Sequence, residues 1–354
     1  MIPNKIKNIL LSLEQNGYEA YLVGGFVRDA ILHKKTNDFD IATNALPRDI
    51  VSIFGPPKRD IQYGSYNLKV EDYNIDITTY RKEGEYTERR NKNISYTTNL
   101  LEDAKRRDFT INAIYMNKNG EIIDPLDGQK DLKKKVLRVI GNPKVRLEED
   151  PIRILRAIRF QTLYHLKLEN GLKKAILERK YLLKSISDEM LKKELDKILL
   201  ANGFGNLKKY QLLKELEIEN KKIVYVGDLA GLWAQIKTEK KYLKEKNERK
   251  RKKSIEILLK CGTMSMLDLY QYGYYDCLIA AQVMHFPVKK LEVMYQKLPI
   301  KSRKDIAISF EELAQVSQKE KEELGILYQE IEVKIIKHDL ENNREKIIEY
   351  VKER

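Results

Sequence analysis

Asp38-Phe39-Asp40 places two carboxylates at alternate positions of a segment, Asp38 to Ala42, whose residues read as a strand. Alternate side chains of an extended chain point to one face, so both acids can grip one cation while Phe39 packs behind them. Hard Mg²⁺ takes oxygen ligands, usually one or two carboxylates plus nucleotide phosphates. Ions held in this way activate an attacking oxygen and stabilise a leaving one, which is the requirement of two-metal phosphoryl transfer. Upstream, Gly24-Gly25-Phe26-Val27-Arg28-Asp29 opens a short helix. The glycines let backbone approach a triphosphate closely, and the first helical N–H groups aim at its charge. Alone, each signal is weak, because acid pairs also occur in solvated turns and Gly-Gly also makes plain strand-to-helix turns.

Two further constellations could share that chemistry. Arg106-Arg107-Asp108-Phe109-Thr110-Ile111-Asn112-Ala113 sets two guanidiniums and a carboxylate before an apolar segment that reads as a helix. Arginine forks hold phosphate or ribose oxygens, and Asp108 either orients a guanidinium or caps the helix. In Glu148-Glu149-Asp150-Pro151-Ile152-Arg153, continuing to Phe160, a helix beginning near Pro151 carries Arg153, Arg156 and Arg159 along one side. Ile154, Leu155 and Ile158 cover another side. Asp150 lies three residues before Arg153, so an acceptor and a donor can stand side by side. Cytosine and adenine both offer an amino donor next to a ring-nitrogen acceptor, whereas guanine and uracil present the reverse. Such a pair could take C and A and refuse G and U without a nucleic-acid template. The competing reading is an ordinary i,i+3 surface ion pair.

The elements that must position these residues can be read from periodicity. Ile6, Ile9, Leu10 and Leu13 recur at helical spacing, and Gly17 sits where that helix would stop. Tyr21-Leu22-Val23 reads as a strand, Val27 to Leu32 as a short helix, and Pro47 to Phe54 as another with proline in its first turn. Tyr66 to Val70 and Ile75 to Tyr80 form two strands around a polar turn, most simply a hairpin. Asp124-Pro125-Leu126-Asp127-Gly128 is a turn into a helix that links this mixed region to the C-terminal remainder. From about Asp131 onward nearly every segment has helical period, so the remainder reads as an all-α assembly. Lys237 to Lys253 is a dense basic run, either a solvated helix face or a phosphate-tracking surface.

Composition bounds the rest. With 354 residues, 42% of them hydrophobic, the chain can bury a sizeable core and form more than one domain. Lys plus Arg number 67 against 53 Asp plus Glu, a formal charge of +14, which suits a polyanionic partner. Cys261 and Cys277, with four scattered histidines, give no zinc or disulfide spacing and read as reduced core thiols. No apolar run reaches the length of a bilayer span and the N-terminus lacks a secretory segment, so a cytoplasmic protein with no membrane partner is expected. The isolated doublet His338-Asp339 reads as a helix-surface pair.

Taken in order, these segments resemble the class II tRNA nucleotidyltransferases, the bacterial CCA-adding enzymes and their poly(A) polymerase relatives of the DNA polymerase β superfamily. The likeness runs almost continuously from Tyr21 to Phe160. It rests on Leu22-Val23-Gly24-Gly25 with Arg28-Asp29, Asp38-Phe39-Asp40-Ile41-Ala42-Thr43, Ile77-Thr78-Thr79-Tyr80-Arg81, Arg106-Arg107-Asp108-Phe109, Asp124-Pro125 with Gly128, and Glu149-Asp150-Pro151 with Arg153. The resemblance implies an α+β fold: a small polymerase-β-like head with a mixed sheet, then an elongated all-α neck, body and tail, divided at 1–121, 122–205, 206–297 and 298–354. It implies that Asp38 and Asp40 bind Mg²⁺ and support attack by the tRNA 3′-hydroxyl on the α-phosphate, with Asp76 a possible third carboxylate where relatives often carry Glu. Gly25 and Arg28 would contact the triphosphate, and Arg107 the sugar or phosphates. Asp150 and Arg153 would read the base, Glu149 would hold them, and Arg156 and Arg159 would complete the nucleotide pocket.

The implied reaction is template-independent addition and repair of the tRNA 3′-terminal CCA from CTP and ATP. The partner would be tRNA, held through its acceptor and TΨC arms, and no obligate protein partner is evident. Poly(A) polymerase relatives tend to carry Arg-Phe-x-Leu-x-His-Val where this chain reads Gly64-Ser65-Tyr66-Asn67-Leu68-Lys69-Val70. Enzymes that add only the cytidines lack a flexible loop that survives here as Arg81 to Leu100, with Gly84, Tyr86 and Arg89-Arg90. Full CCA addition is therefore favoured over an A-adding or CC-adding specialist, a poly(A) polymerase, or a catalytically silent RNA-binding protein. Two departures stand out: Asn91 follows Arg90 where the family often has proline, and beyond the tail stretch Leu298 to Asp305, where the family often continues to a glycine, this chain has Phe310.

Overall fold

A computed structural model describes residues 2–353 apart from 58–63, 72, 83–85, 88–89, 92–94, 221 and 241, with backbone alone at 86–87 and 90–91. The chain separates into two compact units, Met1–Leu216 and Glu217–Arg354. The first begins with α1 (Asn4–Gln15), whose buried Ile6, Ile9, Leu10 and Leu13 are the helical stripe legible in the sequence. Strands β1 (Ala20–Val23), β2 (Asp38–Thr43), β3 (Ser65–Val70), β4 (Tyr73–Thr79), β9 (Tyr115–Met116) and β10 (Ile122–Ile123) build one mixed sheet. Their spatial order is β10-β9-β1-β2-β4-β3. Between them lie α2 (Gly25–Ile31), α3 (Pro47–Phe54) and α4 (Leu100–Lys105). Two short antiparallel ladders, β5 (Arg81–Lys82) with β8 (Ser95–Tyr96) and β6 (Tyr86–Thr87) with β7 (Arg90–Asn91), occupy the stretch before α4. Gly84 and Arg89 of the loop singled out in the sequence lie outside the described residues.

Register places the acids. β2 runs parallel to β4 with Asp40 opposite Asp76, and β3 runs antiparallel to β4 with Asn67 opposite Asp76. Phe39 points the other way, its ring 4.7 Å from Phe26 and 5.3 Å from Tyr73. Its burial anchors the strand, so the alternation that aims Asp38 and Asp40 outward is fixed by the core.

The rest of the first unit is helical: α5 (Gly128–Lys133), α6 (Pro143–Glu149), α7 (Ile152–Tyr164), α8 (Asn170–Arg179), α9 (Asp188–Leu200) and α10 (Phe204–Lys209). Asn142 caps α6 by accepting from Lys144 and Val145 N–H, with proline at the first turn. A Cβ at Gly128 would stand 2.3 Å from the Thr110 carbonyl oxygen, so glycine is what lets α5 seat against that turn. One parallel pair interrupts the helices, β11 (Val136–Leu137) with β12 (Lys167–Leu168).

The second unit comprises α11 (Leu229–Ala234), α12 (Lys246–Cys261), α13 (Met266–Met284), α14 (Val288–Gln296), α15 (Phe310–Ser317), α16 (Lys321–Ile336) and α17 (Arg344–Lys352). Leu258, Leu269, Ile279, Leu291, Ile331 and Ile335 lie at its core. Helix α13 breaks at Gly273, where φ is 79° and ψ 159°. Among the described residues no helix is long and apolar enough to cross a membrane.

Three local expectations change. The apolar segment after Arg106-Arg107-Asp108 is a single 3₁₀ turn, Thr110–Asn112, because Tyr115 must leave it as a strand to pair with Val23. Cys277 is buried, but Cys261 ends α12 exposed and is no core thiol. His338-Asp339 follows the end of α16 in a turn, with His338 at φ 62°, so it is not on a helix face.

Candidate active site

A cavity of about 840 Å³ in the first unit collects side chains from β2, α2, α7, α9 and the Arg106–Asn112 segment. Gly25, Arg28, Asp38, Asp40, Arg107, Asp150, Arg153, Arg156 and Arg159 all line it, so these sequence-predicted residues converge although they span more than 130 positions. Glu149 and Asp76 are not in its walls. Among the lining residues, eight Lys or Arg side chains face four Asp carboxylates, a balance suited to a polyanion such as a triphosphate.

Asp38 and Asp40 both line the cavity. Burial and the neighbouring Asp38 carboxylate push the Asp40 carboxyl up to about 6, against the opposing pull of Arg107 and Arg28. Burial likewise raises Asp76, more than its hydrogen bond from Asn67 lowers it. Gly24, at φ 71°, turns the chain beside them, and a Cβ there would stand 3.2 Å from Asp40 Oδ2. Among the described residues no three carboxylate, imidazole or thiol groups converge tightly enough to hold a metal by themselves. Two like-charged carboxylates, one made protonation-prone by burial and by its neighbour, fit a hard divalent cation whose other ligands are phosphate oxygens and water.

The arginines are locked by partners in and beside the cavity wall. Arg28 is buried, donating through Nη1 to Asn112 Oδ1 at 2.5 Å and through Nη2 to the Tyr164 hydroxyl at 2.6 Å. The Tyr164 hydroxyl in turn donates to Asp29 at 2.8 Å. Fully buried Asp103 accepts from Arg106 Nε at 2.7 Å, Arg107 Nη2 at 2.9 Å and the Tyr115 hydroxyl at 2.8 Å. Burial alone would raise Asp103, yet the two guanidiniums hold it below the usual carboxylate range. Asp108 receives Arg156 Nε and Nη2 on one oxygen, at 2.7 and 2.5 Å, and Asn112 with the Phe109 N–H on the other. It therefore orients a guanidinium and organises its own turn. It caps no helix.

Glu149 braces the junction between α6 and α7. Its Oε2 accepts from Arg146 Nη1 at 2.8 Å and Arg153 Nη1 at 3.2 Å, and the same Arg153 nitrogen donates to the Arg146 carbonyl at 2.7 Å. Arg146 Nη2 in turn bonds the carbonyls of Arg106 and Arg107, tying this helix junction to the Arg-Arg-Asp segment. Asp150 ends α6 in an extended conformation, and its Oδ1 accepts from the Ile152 N–H at 3.3 Å. Arg159 pairs with buried Glu194 of α9 at 3.1 Å.

Among the polar and aromatic wall residues, Asn112, Phe160, Tyr164 and Lys197 escape the sequence reading. Phe160 is a hub, with the guanidiniums of Arg28, Arg156 and Arg159 at 5.1, 5.5 and 4.6 Å from its ring centre. A signal existed for two of them, since Phe160 and Tyr164 lie four apart on the arginine-bearing helix and must share a face. No local pattern marks Lys197.

Known proteins resemble this chain over its length. Residues 20–138 match the sequence model of the Poly A polymerase head domain, and residues 197–351 that of tRNA nucleotidyltransferase domain 2 (putative). The chain is 34% identical to the CCA-adding enzyme of Streptococcus pneumoniae, over 98% of this chain and 96% of that one. It is 31% identical to the CCA-adding enzyme of Enterococcus faecalis, over 99% and 97%. Its structure superimposes on that of Bacillus stearothermophilus CCA-adding enzyme in complex with CTP with a TM-score of 0.85 and 25% identity, covering 100% and 98%. Full-length likeness to curated relatives and a shared fold place this chain in the family of CCA-adding tRNA nucleotidyltransferases.

Proposed function

We infer that this chain adds and repairs the 3′-terminal CCA of tRNA from CTP and ATP, without a nucleic-acid template. The observation that carries the reading is one cavity lined both by Asp38 and Asp40 and by Asp150 with Arg153, whose guanidinium Glu149 braces. Phosphoryl transfer needs the first pair, and choice among nucleotides needs the second. The solved relative that holds CTP shares the whole fold.

Each residue has a definite task in this reading. Arg28 and Arg107 meet the triphosphate, and because their own partners fix them, little reorganisation accompanies charge development. Asp150 accepts from the amino group shared by cytosine and adenine while Arg153 donates to the adjacent ring nitrogen. Uracil and guanine would set carbonyl against carboxylate and N–H against guanidinium. Glu149 fixes the plane of Arg153 before the base arrives. A divalent cation, taken as Mg²⁺, held by Asp38 and Asp40 would neutralise phosphate charge and favour the deprotonated 3′-hydroxyl. That oxygen forms a new bond to the α-phosphorus as the α–β bridge breaks and pyrophosphate leaves. Asp76, held by Asn67, belongs to this proposal as a carboxylate that tunes Asp40. So do Arg156 and Arg159 as pocket walls, a division into head, neck, body and tail, and a cytoplasmic setting beside its tRNA substrate.

The test is extension of tRNA ending at the discriminator base, with Mg²⁺ and CTP, ATP or both, sized at nucleotide resolution. Growth by C-C with CTP alone and by C-C-A with both is expected. Long A tracts would instead identify a poly(A) polymerase, addition of A only to C-C ends an A-adding specialist, and no growth a silent binder.

A further inference from the structure

We propose that the solvent face of α12 is a track for the phosphodiester backbone of duplex RNA, an inference that rests on the reading of tRNA as substrate. The basic run from Lys237 divides once folded. Lys237 pairs with Glu219, Arg251 turns to Asp276 at 2.9 Å and Asp228 at 3.2 Å, and Lys252 pairs with Glu256 at 3.1 Å. Those charges are already neutralised within the fold.

Lys246, Arg249, Lys250, Lys253 and Lys260 differ. All five are exposed, and none has an ion-pair partner among the described residues. At about 100° per residue they fall within an arc of about 100°, opposite buried Ile255 and Leu258. From first to last they extend about 21 Å along the axis, at about 1.5 Å per residue. The only acid of this helix bordering the arc, Glu256, is taken by Lys252.

This arrangement works against the helix that carries it. Lys246 with Lys250, and Arg249 with Lys253, are like charges at i,i+4, a spacing at which repulsion destabilises a helix. Lys246, Arg249 and Lys250 also crowd the N-terminal turns, where the helix dipole favours anions, and only Glu248 answers it in the first turn. Local choices that oppose the fold mark functional surfaces. Unneutralised cations in a row, with no carboxylate to reject a polyanion, suit phosphates read by charge and shape and give no basis for reading sequence.

The experiment compares the full-length protein with its K246Q/K250Q/K253Q variant, titrating tRNA that lacks CCA across a salt series by fluorescence anisotropy. Three lost phosphate contacts should make the slope of log affinity against log salt shallower by about 2, and weaken binding at low salt by at least about tenfold. The melting temperature should hold or rise, because repulsion is relieved. CTP affinity should not change, since no described residue beyond Ala201 lines the nucleotide cavity. An unchanged slope and affinity would overturn the track, as would weaker binding accompanied by a lowered melting temperature. Loss of binding to anionic phospholipid vesicles, with the tRNA slope intact, would overturn it in favour of a membrane surface. Extension by the unmodified protein is scored separately. If it adds C-C-A and the variant keeps the slope, only the track fails; if it shows the slope without extension, only the enzymatic reading fails.

Discussion

The arginines around the cavity of the first unit and the cations of α12 carry the same charge under opposite constraints. In the cavity the guanidiniums are tied: Arg28 to Asn112 and Tyr164, Arg107 to Asp103, Arg153 to Glu149, Arg156 to Asp108 and Arg159 to Glu194. On α12, Lys246, Arg249, Lys250, Lys253 and Lys260 are exposed and unpaired among the described residues. Discriminating between bases requires a donor in one orientation, so its partners must hold it even at the expense of some of its charge. Tracking a backbone requires charge alone, and a carboxylate partner would cancel it. Specificity and adhesion thus call for different residues: braced arginine in one unit, mostly bare lysine in the other.

That contrast can be broken from its strongest side first. Asp38→Ala or Asp40→Ala should lower the rate of addition by at least about a thousandfold, roughly 4 kcal/mol of transition-state stabilisation, with tRNA affinity largely kept. Single-turnover rates and binding curves check it, and full activity in either variant would remove the two acids from the chemistry. Next in size, Glu149→Ala leaves buried Arg146 and Arg153 without their shared carboxylate and should cost about 3 kcal/mol of stability. A denaturant titration reads this, and no comparable loss should result from any single change on the α12 face.

A smaller effect appears in acid. Asp103 and Asp108 would be raised by burial, but their arginine partners hold both below the ordinary 3.8. A depressed carboxylate contributes stability that is complete above its unfolded value and is lost as pH falls through the lower folded one. The melting temperature should therefore drop steeply below pH 3.8, and Asp108→Asn should flatten part of that limb while lowering stability at neutral pH. A parallel drop in both proteins would show that Asp108 and Arg156 do not brace one another.

Much of the cavity was legible because its residues obey local rules. Phe39 between two acids forces the strand alternation that aims them, and Pro151 starts the helix on which three arginines must share a side. What escaped acts through distance along the chain. Glu194 meets Arg159 from thirty-five residues away, Tyr164 closes on Arg28 across more than a hundred, and Lys197 reaches the wall only because α9 packs on α7. The segment Thr110–Asn112 has the apolar content of a helix but forms a single 3₁₀ turn, because Tyr115 pairs with Val23 in the sheet, a constraint that no helical period reports. In the second unit helices could be read from periodicity, but which cations stay unpaired depended on where Asp228 and Asp276 lie in the fold.

The central claim is that a carboxylate, Asp150, and a braced guanidinium, Arg153, replace a template. Its most direct measurement is incorporation from each of the four nucleoside triphosphates, singly, by the unmodified protein and by Asp150→Ala. The unmodified protein should incorporate C, then A, with U and G rejected, and the variant should lose much of that discrimination against U or G while binding tRNA as before. Unchanged selectivity in the variant would contradict the account.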